Sequence, residues 1–365
     1  MPESLDADLD VVDLFAGPGG LDVGASWLGL SVCGIELDPR ACETRMAAGL
    51  RTIQGDVRLF GPDDFPGAKV LAGGPPCQTF TIAGSGTGRK AIDTVLGLVD
   101  ELASGKDIAA RLRALHDERT GLVVEPLRWA MQALRQGIPY ESIVLEQVPA
   151  VLPVWKAIGR VLAANGYDVC HDVLRTEQFG VPQTRRRAVL IARRNGKAAL
   201  PTETHQAYHK GTLRPGESHL LGWVSMADAL NRNDEFTVIS NYGSGGDPKN
   251  RGRRSADQPA ATVTGKITRN RLQFPDGRQS RLSLPEAGIL QTFPSDFPWR
   301  GGDIGQQVGN AVPPRFAAHV LATATGRLID SARLDEAVRL PWGESSSGVP
   351  GIIRETALRE PLLTG

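Results

Sequence analysis

The fold is decided by the stretch Leu9-Asp10-Val11-Val12-Asp13-Leu14-Phe15-Ala16-Gly17-Pro18-Gly19-Gly20. Its apolar first half predicts a buried strand, its glycines predict a turn, and the residues that follow predict a short helix over 21–28. Glycines in such a turn let a ligand approach the backbone closely, and a helix N-terminus favours negative groups. The glycine spacing is not that of the G-x-G-x-x-G pattern, so a nucleoside-like cofactor is favoured over NAD.

The rest of the first half repeats this alternation of short apolar strands and helices. Strands are predicted at 31–36, 70–72 and 143–145, and helices at 39–49, 92–102, 108–119, 123–136 and 154–165. This rhythm is typical of a mostly parallel sheet with helices on both faces, so we expect an α/β fold.

The pattern changes after Val169. Later strands are predicted at 170–174 and 188–192, on either side of an arginine-rich turn. From 194 to 274 the periodicity is lost and glycine, asparagine, proline and arginine dominate, which predicts a smaller, loop-rich domain. Helical signal returns at 285–291 and 314–329, and a tail rich in glycine, serine and proline follows residue 340.

Composition indicates a globular chain with an uneven charge distribution. The 365 residues carry 41 lysines and arginines and 41 aspartates and glutamates. Between Arg193 and Arg281, however, 15 basic residues stand against 8 acidic ones. A basic segment beside a more acidic remainder is compatible with a polyanionic partner, and equally with a solvated face.

The four cysteines, at 33, 42, 77 and 170, form no C-x-x-C pair, so neither a zinc site nor a disulfide framework is indicated. The acidic N-terminus does not resemble a signal peptide, and no apolar run approaches the roughly 20 residues of a membrane span. We therefore expect no membrane association and a cytoplasmic location.

A second turn, Gly73-Gly74-Pro75-Pro76-Cys77-Gln78-Thr79-Phe80, follows the predicted strand 70–72. The two prolines fix φ and bar a helix, so Cys77 stands on a stiff turn just beyond a strand end. Open α/β sheets bind their ligands at that edge, which makes Cys77 a candidate nucleophile. The alternative is a buried cysteine that packs as a small hydrophobic residue.

Acidic residues lie at the ends of several predicted strands. Glu36 could accept hydrogen bonds from the two hydroxyls of a ribose, and Asp56 could accept one from an adenine amino group. Glu146 ends the strand at 143–145, where a carboxylic acid near a reactive cysteine could donate a proton to a ring nitrogen. Each acid could instead be a solvated, capping or salt-bridged residue.

The run Gln183-Thr184-Arg185-Arg186-Arg187 leads directly into the predicted strand 188–192. Strand alternation would place Arg185 and Arg187 on one face, where two guanidiniums could point into a cleft against a phosphate or a carbonyl. A charge run on the surface is the alternative. Gly309-Asn310-Ala311-Val312-Pro313-Pro314 is a further turn before a helix, in which Asn310 binds the cofactor or serves the turn itself.

Taken in order, these segments resemble the DNA (cytosine-5)-methyltransferases across about residues 9–330. The resemblance rests on the following segments: 13–20, Gly74-Pro75-Pro76-Cys77-Gln78, Arg119-Thr120-Gly121-Leu122, Glu146-Gln147-Val148, Gln183-Thr184-Arg185-Arg186-Arg187, Arg281-Leu282-Ser283 with Pro285-Glu286, and Gly309-Asn310-Ala311-Val312-Pro313. The Pro-Cys-Gln and Gln-x-Arg-x-Arg elements in this order are highly specific. The resemblance implies a Rossmann-like domain that uses S-adenosylmethionine, with a smaller target-recognition domain.

The resemblance also implies a mechanism. The target cytosine is flipped out of duplex DNA, and the thiolate of Cys77 adds to its carbon 6. Glu146 protonates or hydrogen-bonds ring nitrogen 3, while Arg185 holds the base carbonyl and supports Glu146. Carbon 5 then takes the methyl group from S-adenosylmethionine, a base removes its proton, and elimination frees Cys77. No metal is required.

The resemblance assigns the remaining site residues by position. The expected cofactor contacts are Phe15, Gly17, Gly19, Glu36, Leu37, Asp56, Val57 and Asn310. The expected substrate contacts are Gln78, Arg89, Gln183 and Arg187. Two positions depart from the usual pattern: Leu37 replaces an aromatic residue that stacks on adenine in many members, and Gln147 replaces the usual asparagine.

The implied organisation is a catalytic and cofactor-binding domain over 1–193, a recognition domain over 194–280, a return segment over 281–335 and a tail over 336–365. Within the recognition domain, the loops at 241–246 and 249–254 are expected to contact bases. We expect a monomer bound to double-stranded DNA, in the cytoplasm and nucleoid of a prokaryote or encoded by a phage, with an associated restriction endonuclease as a further possibility. The alternatives are a transfer-RNA cytosine methyltransferase and a catalytically idle DNA-binding regulator.

Overall fold

The computed structural model describes residues 8–76, 86–115, 117–211, 219–240 and 251–354. The strands in these ranges are β1 (Val11–Leu14), β2 (Val32–Glu36), β3 (Arg51–Gln54), β4 (Val70–Gly73), β5 (Ser142–Gln147), β6 (Asp168–Arg175), β7 (Gln183–Thr184), β8 (Arg186–Arg193), β9 (Thr237–Ile239), β10 (Arg253–Ser255), β11 (Ala260–Ala261), β12 (Arg271–Gln273), β13 (Gln279–Arg281), β14 (Leu328–Ile329) and β15 (Ile353–Arg354).

The helices of the same ranges alternate with the strands through the first half of the chain. They are α1 (Gly20–Trp27), α2 (Pro39–Ala47), α3 (Gly86–Ala103), α4 (Ala109–Arg113), α5 (Glu125–Gln136), α6 (Leu152–Ala164), α7 (Met226–Leu230), α8 (Leu284–Leu290), α9 (Ile304–Asn310), α10 (Pro314–Ala324), α11 (Ser331–Arg339) and α12 (Trp342–Ser345). The predicted α/β class is confirmed.

The main sheet of the described residues has seven strands in the order β3-β2-β1-β4-β5-β8-β6. The first five are parallel, and β8 is antiparallel to both of its neighbours. The chain extends the sheet from β1 toward β3 and then crosses back to place β4 on the other side of β1. The carboxyl ends of β1 and β4 therefore form a topological switch point, the usual ligand crevice of such sheets.

The central strands of the sheet are buried on both faces because an apolar layer covers each face. One layer packs α3, α5 and α6 against the sheet, with Trp129 and Trp155 among its largest side chains. The other packs α1 and α10, with Trp27 and Phe316. Helices α1 and α10 approach so closely that a Cβ on Gly24 would lie 2.4 Å from the Pro314 carbonyl oxygen, so only glycine fits there.

The smaller domain is built around a second sheet of the described residues, antiparallel, in the order β10-β9-β12-β13. Its apolar cluster includes Phe236, Val238 and Leu272, and is completed by Leu290 of α8 and Val308 of α9. The packing of this unit therefore continues beyond residue 280, where the sequence suggests a boundary.

Most differences from the sequence predictions are in the connecting segments. The helix predicted over 108–119 is only one short turn, α4, followed by a 3-10 segment at Glu118–Val124. The helix predicted to reach residue 329 ends at Ala324, since Gly326 has φ +71° and the chain then forms β14. The tail packs on the α1 and α10 layer through Trp342, Val349 and Ile352.

Within the described residues, no helix combines the length and the apolar character needed to cross a membrane.

Candidate active site at the switch point of the sheet

The carboxyl ends of β1, β2, β4 and β5 bring the predicted acids and glycine turns to one edge. Gly73 of β4 is in register with Leu14 on one side and Leu145 on the other, so the turns after these strands are neighbours. A Cβ on Gly74 would lie 3.8 Å from Oε2 of Glu146. The turn that leads toward Cys77 thus begins beside this carboxylate.

Cys77 and Gln78 lie outside the described residues, as does the side chain of Arg89. Their predicted roles stay predictions. The recognition loop predicted at 241–246 is likewise outside them, together with Lys249 and Asn250 of the second loop.

Glu36 is held at the end of β2 by two backbone amides. Gly17 N donates to Oε2 at 2.7 Å, and Asp38 N donates to Oε1 at 2.8 Å. The carboxylate therefore has a fixed orientation against the turn after β1. Phe15 begins that turn with φ +64°, a left-handed conformation that is uncommon for a bulky residue and typical of functional sites.

The two predicted glycine contacts differ. Gly17 has φ +56°, and an added Cβ would have no atom within 4 Å, so nothing crowds that side of its backbone. Gly19 has φ +103°, a conformation that favours glycine, and an added Cβ would lie 2.2 Å from the end of the Leu50 side chain. Only the first is uncrowded.

Leu37 follows β2, and Asp56 lies just after the edge strand β3. The side chain of Leu37 is 61% exposed, although it is large and apolar. Asp56 caps a 3-10 turn and pairs with Arg58 at 2.6 Å, and hydrogen bonds from Arg58 lower the pKa of the carboxyl. Asp56 is thus an ionised acceptor. Val57 is buried, and its carbonyl accepts hydrogen bonds from Arg128 and Trp129.

A buried ion pair lies beneath the turn after β1, and the sequence patterns did not single it out. Arg45 donates to both carboxylate oxygens of Asp22, at 2.8 and 2.6 Å, and the two side chains are 0% and 1% exposed. Arg45 also donates to the Arg51 carbonyl and to Thr52. Nearby Asp13 is buried, which with the charge of Asp22 raises the pKa of its carboxyl well above the usual range.

Glu146 pairs with Arg187 across the β5–β8 ladder. Arg187 Nε lies 2.7 Å from Glu146 Oε1, and each side chain is 12% exposed. The alignment is not that of a hydrogen bond, and Oε1 is buried with no hydrogen-bond partner in the described part of the chain. This carboxylate is anchored electrostatically and retains acceptor capacity.

Arg185 is predicted to support Glu146, but the hydrogen bonds described for it are to backbone carbonyls. It is buried and donates to the carbonyls of Val263 at 3.0 Å and of Gly309 and Ala311 at 3.1 Å. Strand β7 ends at Thr184 and β8 begins at Arg186. Arg185 belongs to neither strand, so the alternation of side chains along a strand does not continue through it. Arg187 takes the position beside the carboxylate.

Gln183 was expected to contact substrate, and the structure instead buries it. Its Nε2 donates to the Leu290 carbonyl at 2.8 Å and to Gln291 Oε1 at 2.7 Å, while its Oε1 accepts from Val263 N at 2.9 Å. Both donor positions of the amide are therefore used inside the protein, and the predicted substrate contact stays a prediction.

Gln147 fulfils a positioning role despite its extra methylene. Its Nε2 donates to the Pro75 carbonyl, and its Oε1 accepts from the Val148 amide. The side chain ties the end of β5 to the turn that precedes Cys77.

Asn310 is the last residue of α9 and is exposed. Its Oδ1 accepts a hydrogen bond from Gln306 at 2.7 Å. The described residues contain no group of three or more histidine, cysteine, aspartate and glutamate side chains arranged for a metal ion.

Comparison with known proteins agrees with this arrangement. The sequence profile of the family "C-5 cytosine-specific DNA methylase" matches residues 9–98 and 142–325. The chain is 28% identical to the type II methyltransferase M1.HphI of Haemophilus parahaemolyticus, over 85% of this chain and 84% of that protein. It is 27% identical to the type II methyltransferase M.AplI of Arthrospira platensis, over 86% and 84%.

Solved structures give the same fold at lower identity. The Dnmt2 methyltransferase of S. pombe superposes with a TM-score of 0.57 at 15% identity, over 87% of this chain and 98% of that one. The Entamoeba histolytica methyltransferase EhMeth gives 0.56 at 14% identity, over 87% and 98%. The family profile covers well over half of the sequence, and the chain therefore belongs to the C-5 cytosine-specific DNA methylases.

Proposed function

We propose that Glu146 and Arg187 form the base-activating pair of this DNA (cytosine-5)-methyltransferase, with Cys77 as the nucleophile. The reaction of the family is the transfer of a methyl group from S-adenosylmethionine to carbon 5 of cytosine in DNA. The observation that supports the assignment is the buried Glu146 Oε1, which pairs with Arg187 and has no hydrogen-bond partner in the described residues.

The residues at the switch point fit S-adenosylmethionine. Gly17 leaves open space at the turn after β1, and Glu36 is fixed beside it to accept from the ribose hydroxyls. Leu37 offers an exposed apolar side chain for one face of adenine, with less stacking than an aromatic ring would provide. When bound there, the cofactor supplies an electrophilic methyl group.

In the proposed reaction, a cytosine is flipped from the duplex at a cost of a few kcal/mol. The Cys77 thiolate forms a bond to carbon 6, and the electron pair displaced from the 5,6 double bond makes carbon 5 nucleophilic. Glu146 hydrogen-bonds ring nitrogen 3, and Arg187 fixes that carboxylate and faces the base carbonyl. After methylation, loss of the carbon-5 proton re-forms the double bond and expels Cys77.

Covalent trapping tests the nucleophile. The target sequence is first read by methylation-sensitive sequencing of host DNA with and without the gene. A duplex with 5-fluorocytosine at that position should then give an SDS-stable adduct with the wild-type enzyme and S-adenosylmethionine, since fluorine cannot leave as the proton does. Cys77→Ser should give none while still binding the duplex. An adduct with the serine variant would contradict the assignment.

We further propose that the substrate is duplex DNA and that the enzyme acts in the cytoplasm, as a monomer, as the methylating partner of a restriction system. The relatives above are named type II methyltransferases, which supports DNA over transfer RNA. Exposed arginines at 253, 271, 278 and 281 around the second sheet provide charge for phosphates. Incorporation of labelled methyl groups into long unmethylated duplex DNA, and none into transfer RNA, is the expected result.

A further inference from the structure

One buried arginine lies where three segments of the chain meet. Arg185 donates to Val263 O in the recognition region and to the carbonyls of Gly309 and Ala311. The last two residues flank Asn310, for which the family resemblance predicts a cofactor contact. The same guanidinium therefore fixes the peptide groups on both sides of a binding residue.

Hydrogen bonds from a guanidinium to buried carbonyls are charge-assisted and geometrically demanding. They contribute more than neutral hydrogen bonds. Arginine suits this task because its planar fork presents several donors at fixed angles, whereas lysine offers a compact charge on a flexible stem. Lysine at 185 could keep the charge but could not hold the three carbonyls together.

The arginine is part of a wider buried network. Gln183 binds Val263 N through Oε1 and Gln291 Oε1 through Nε2. Gln291 Nε2 in turn donates to the carbonyls of Val308 at 2.6 Å and Ala311 at 3.3 Å. Both glutamines are fully buried. A connected, satisfied polar network of this kind rigidifies the segments that it joins.

We infer that Arg185 is a positioning residue of the cofactor site: it holds the Gly309–Ala311 segment in its binding conformation and links that segment to Val263 of the recognition region. The inference rests on the proposed cofactor site. Arg185 would then act on the affinity for the cofactor, also in the absence of DNA, rather than by contacting the flipped base.

Binding of S-adenosylhomocysteine to the DNA-free enzyme tests this directly. Titration calorimetry should show that Arg185→Lys weakens binding by about tenfold or more, the equivalent of losing one charge-assisted hydrogen bond. Arg187→Lys should bind within about twofold of wild type, because its partner is Glu146 and its role requires the base. Equal affinities for Arg185→Lys and wild type would overturn the inference.

A matched control separates positioning from general destabilisation. Arg315 is also buried and also donates to a backbone carbonyl, that of Phe179, but it pairs with Asp335 away from the cofactor edge. Arg315→Lys should lower the free energy of unfolding and leave affinity for S-adenosylhomocysteine unchanged. If it weakened binding as much as Arg185→Lys, the effect would be one of stability and the inference would fail.

A second variant covers the case in which Arg185→Lys does not fold. Gln291→Met keeps the side-chain shape and removes the donors to Val308 and Ala311. It should weaken S-adenosylhomocysteine binding and raise the KM for S-adenosylmethionine more than it lowers kcat; unchanged binding would count against the inference. A wild-type enzyme that failed to bind S-adenosylhomocysteine would contradict the proposed cofactor site itself.

Discussion

Two regions of the catalytic domain contain an arginine–carboxylate pair, and the pairs differ in how completely they are satisfied. Beneath the turn after β1, Asp22 and Arg45 are fully buried, bidentate and joined to further oxygens of the backbone and of Thr52. At the end of β5, Glu146 and Arg187 are slightly exposed and poorly aligned, and Oε1 lacks a hydrogen bond within the described residues. In the first pair both carboxylate oxygens of Asp22 accept hydrogen bonds from Arg45. The second pair leaves one carboxylate oxygen without a hydrogen bond, and we propose that it binds the substrate.

An ion pair alone therefore does not show whether its residues act in stability or in catalysis. A closed pair supports a turn that must keep its shape, and its loss should appear in stability. If the open pair binds substrate as we propose, its loss should appear in the reaction rate. Variants at the two pairs therefore test whether they differ in this way.

The largest effect is expected at the open pair. Glu146→Gln keeps the shape but removes the charge and the acid, so the methylation rate should fall by about 100-fold or more, in the range of general acid–base catalysis. The free energy of unfolding and the affinity for S-adenosylhomocysteine should change little. The measurements are initial rates of methyl transfer, urea unfolding and calorimetry. A large loss of cofactor affinity would contradict the role of Glu146 in the reaction.

The closed pair should give the opposite result. Arg45→Met leaves the Asp22 carboxylate buried without its partner, which typically costs about 3–5 kcal/mol of stability. The double variant with Asp22→Asn should recover part of that loss, because no unpaired charge remains. Urea unfolding followed by circular dichroism measures both. A single variant as stable as wild type would contradict the structural role of this pair.

A smaller effect tests an unsatisfied group far from the active edge. His319 in α10 is buried, its Nε2 has no hydrogen-bond partner in the described chain, and burial lowers the pKa of its imidazole to about 3, with smaller contributions from Arg315 and His205. The unfolded state takes up a proton near pH 6.5 and the folded state does not, so stability should fall as the pH drops from about 6.5 toward 3, by about 1.4 kcal/mol per unit at most.

His319→Gln should reduce this acid sensitivity without changing catalysis at neutral pH. The measurement is the free energy of unfolding at pH 7, 6 and 5.5 for both proteins. Parallel pH profiles would show that His319 does not titrate between the two states. A changed methylation rate at neutral pH would instead show that His319 affects catalysis.

The sequence predicts the strands of the main sheet well because they are short, continuous apolar runs bounded by glycine or charge. Glu36 and Glu146 were found for the same reason, since a polar residue directly after such a run must lie at the sheet edge. The family, the fold class and the reaction are confirmed by the comparisons. The individual catalytic assignments remain predictions.

Other features depend on contacts that no local pattern contains. The different contacts of Arg185 and Arg187 follow from the interruption between β7 and β8, which strand alternation could not reveal. Asp22 and Arg45 are 23 residues apart, on different helices. The burial of Gln183, which is predicted to contact substrate, could not be foreseen because its partners at 263 and 290 are distant in the chain.

The anchoring of the C-terminal segment has a practical consequence for engineering the protein. Trp342 donates to the Ala48 carbonyl beside α2, and Val349 N donates to Trp27 O at the end of α1. Shortened variants that stop near residue 330 would strip this cover from the two helices that frame the methyl-donor crevice. Fragments trimmed from this terminus should therefore lose solubility before they lose activity.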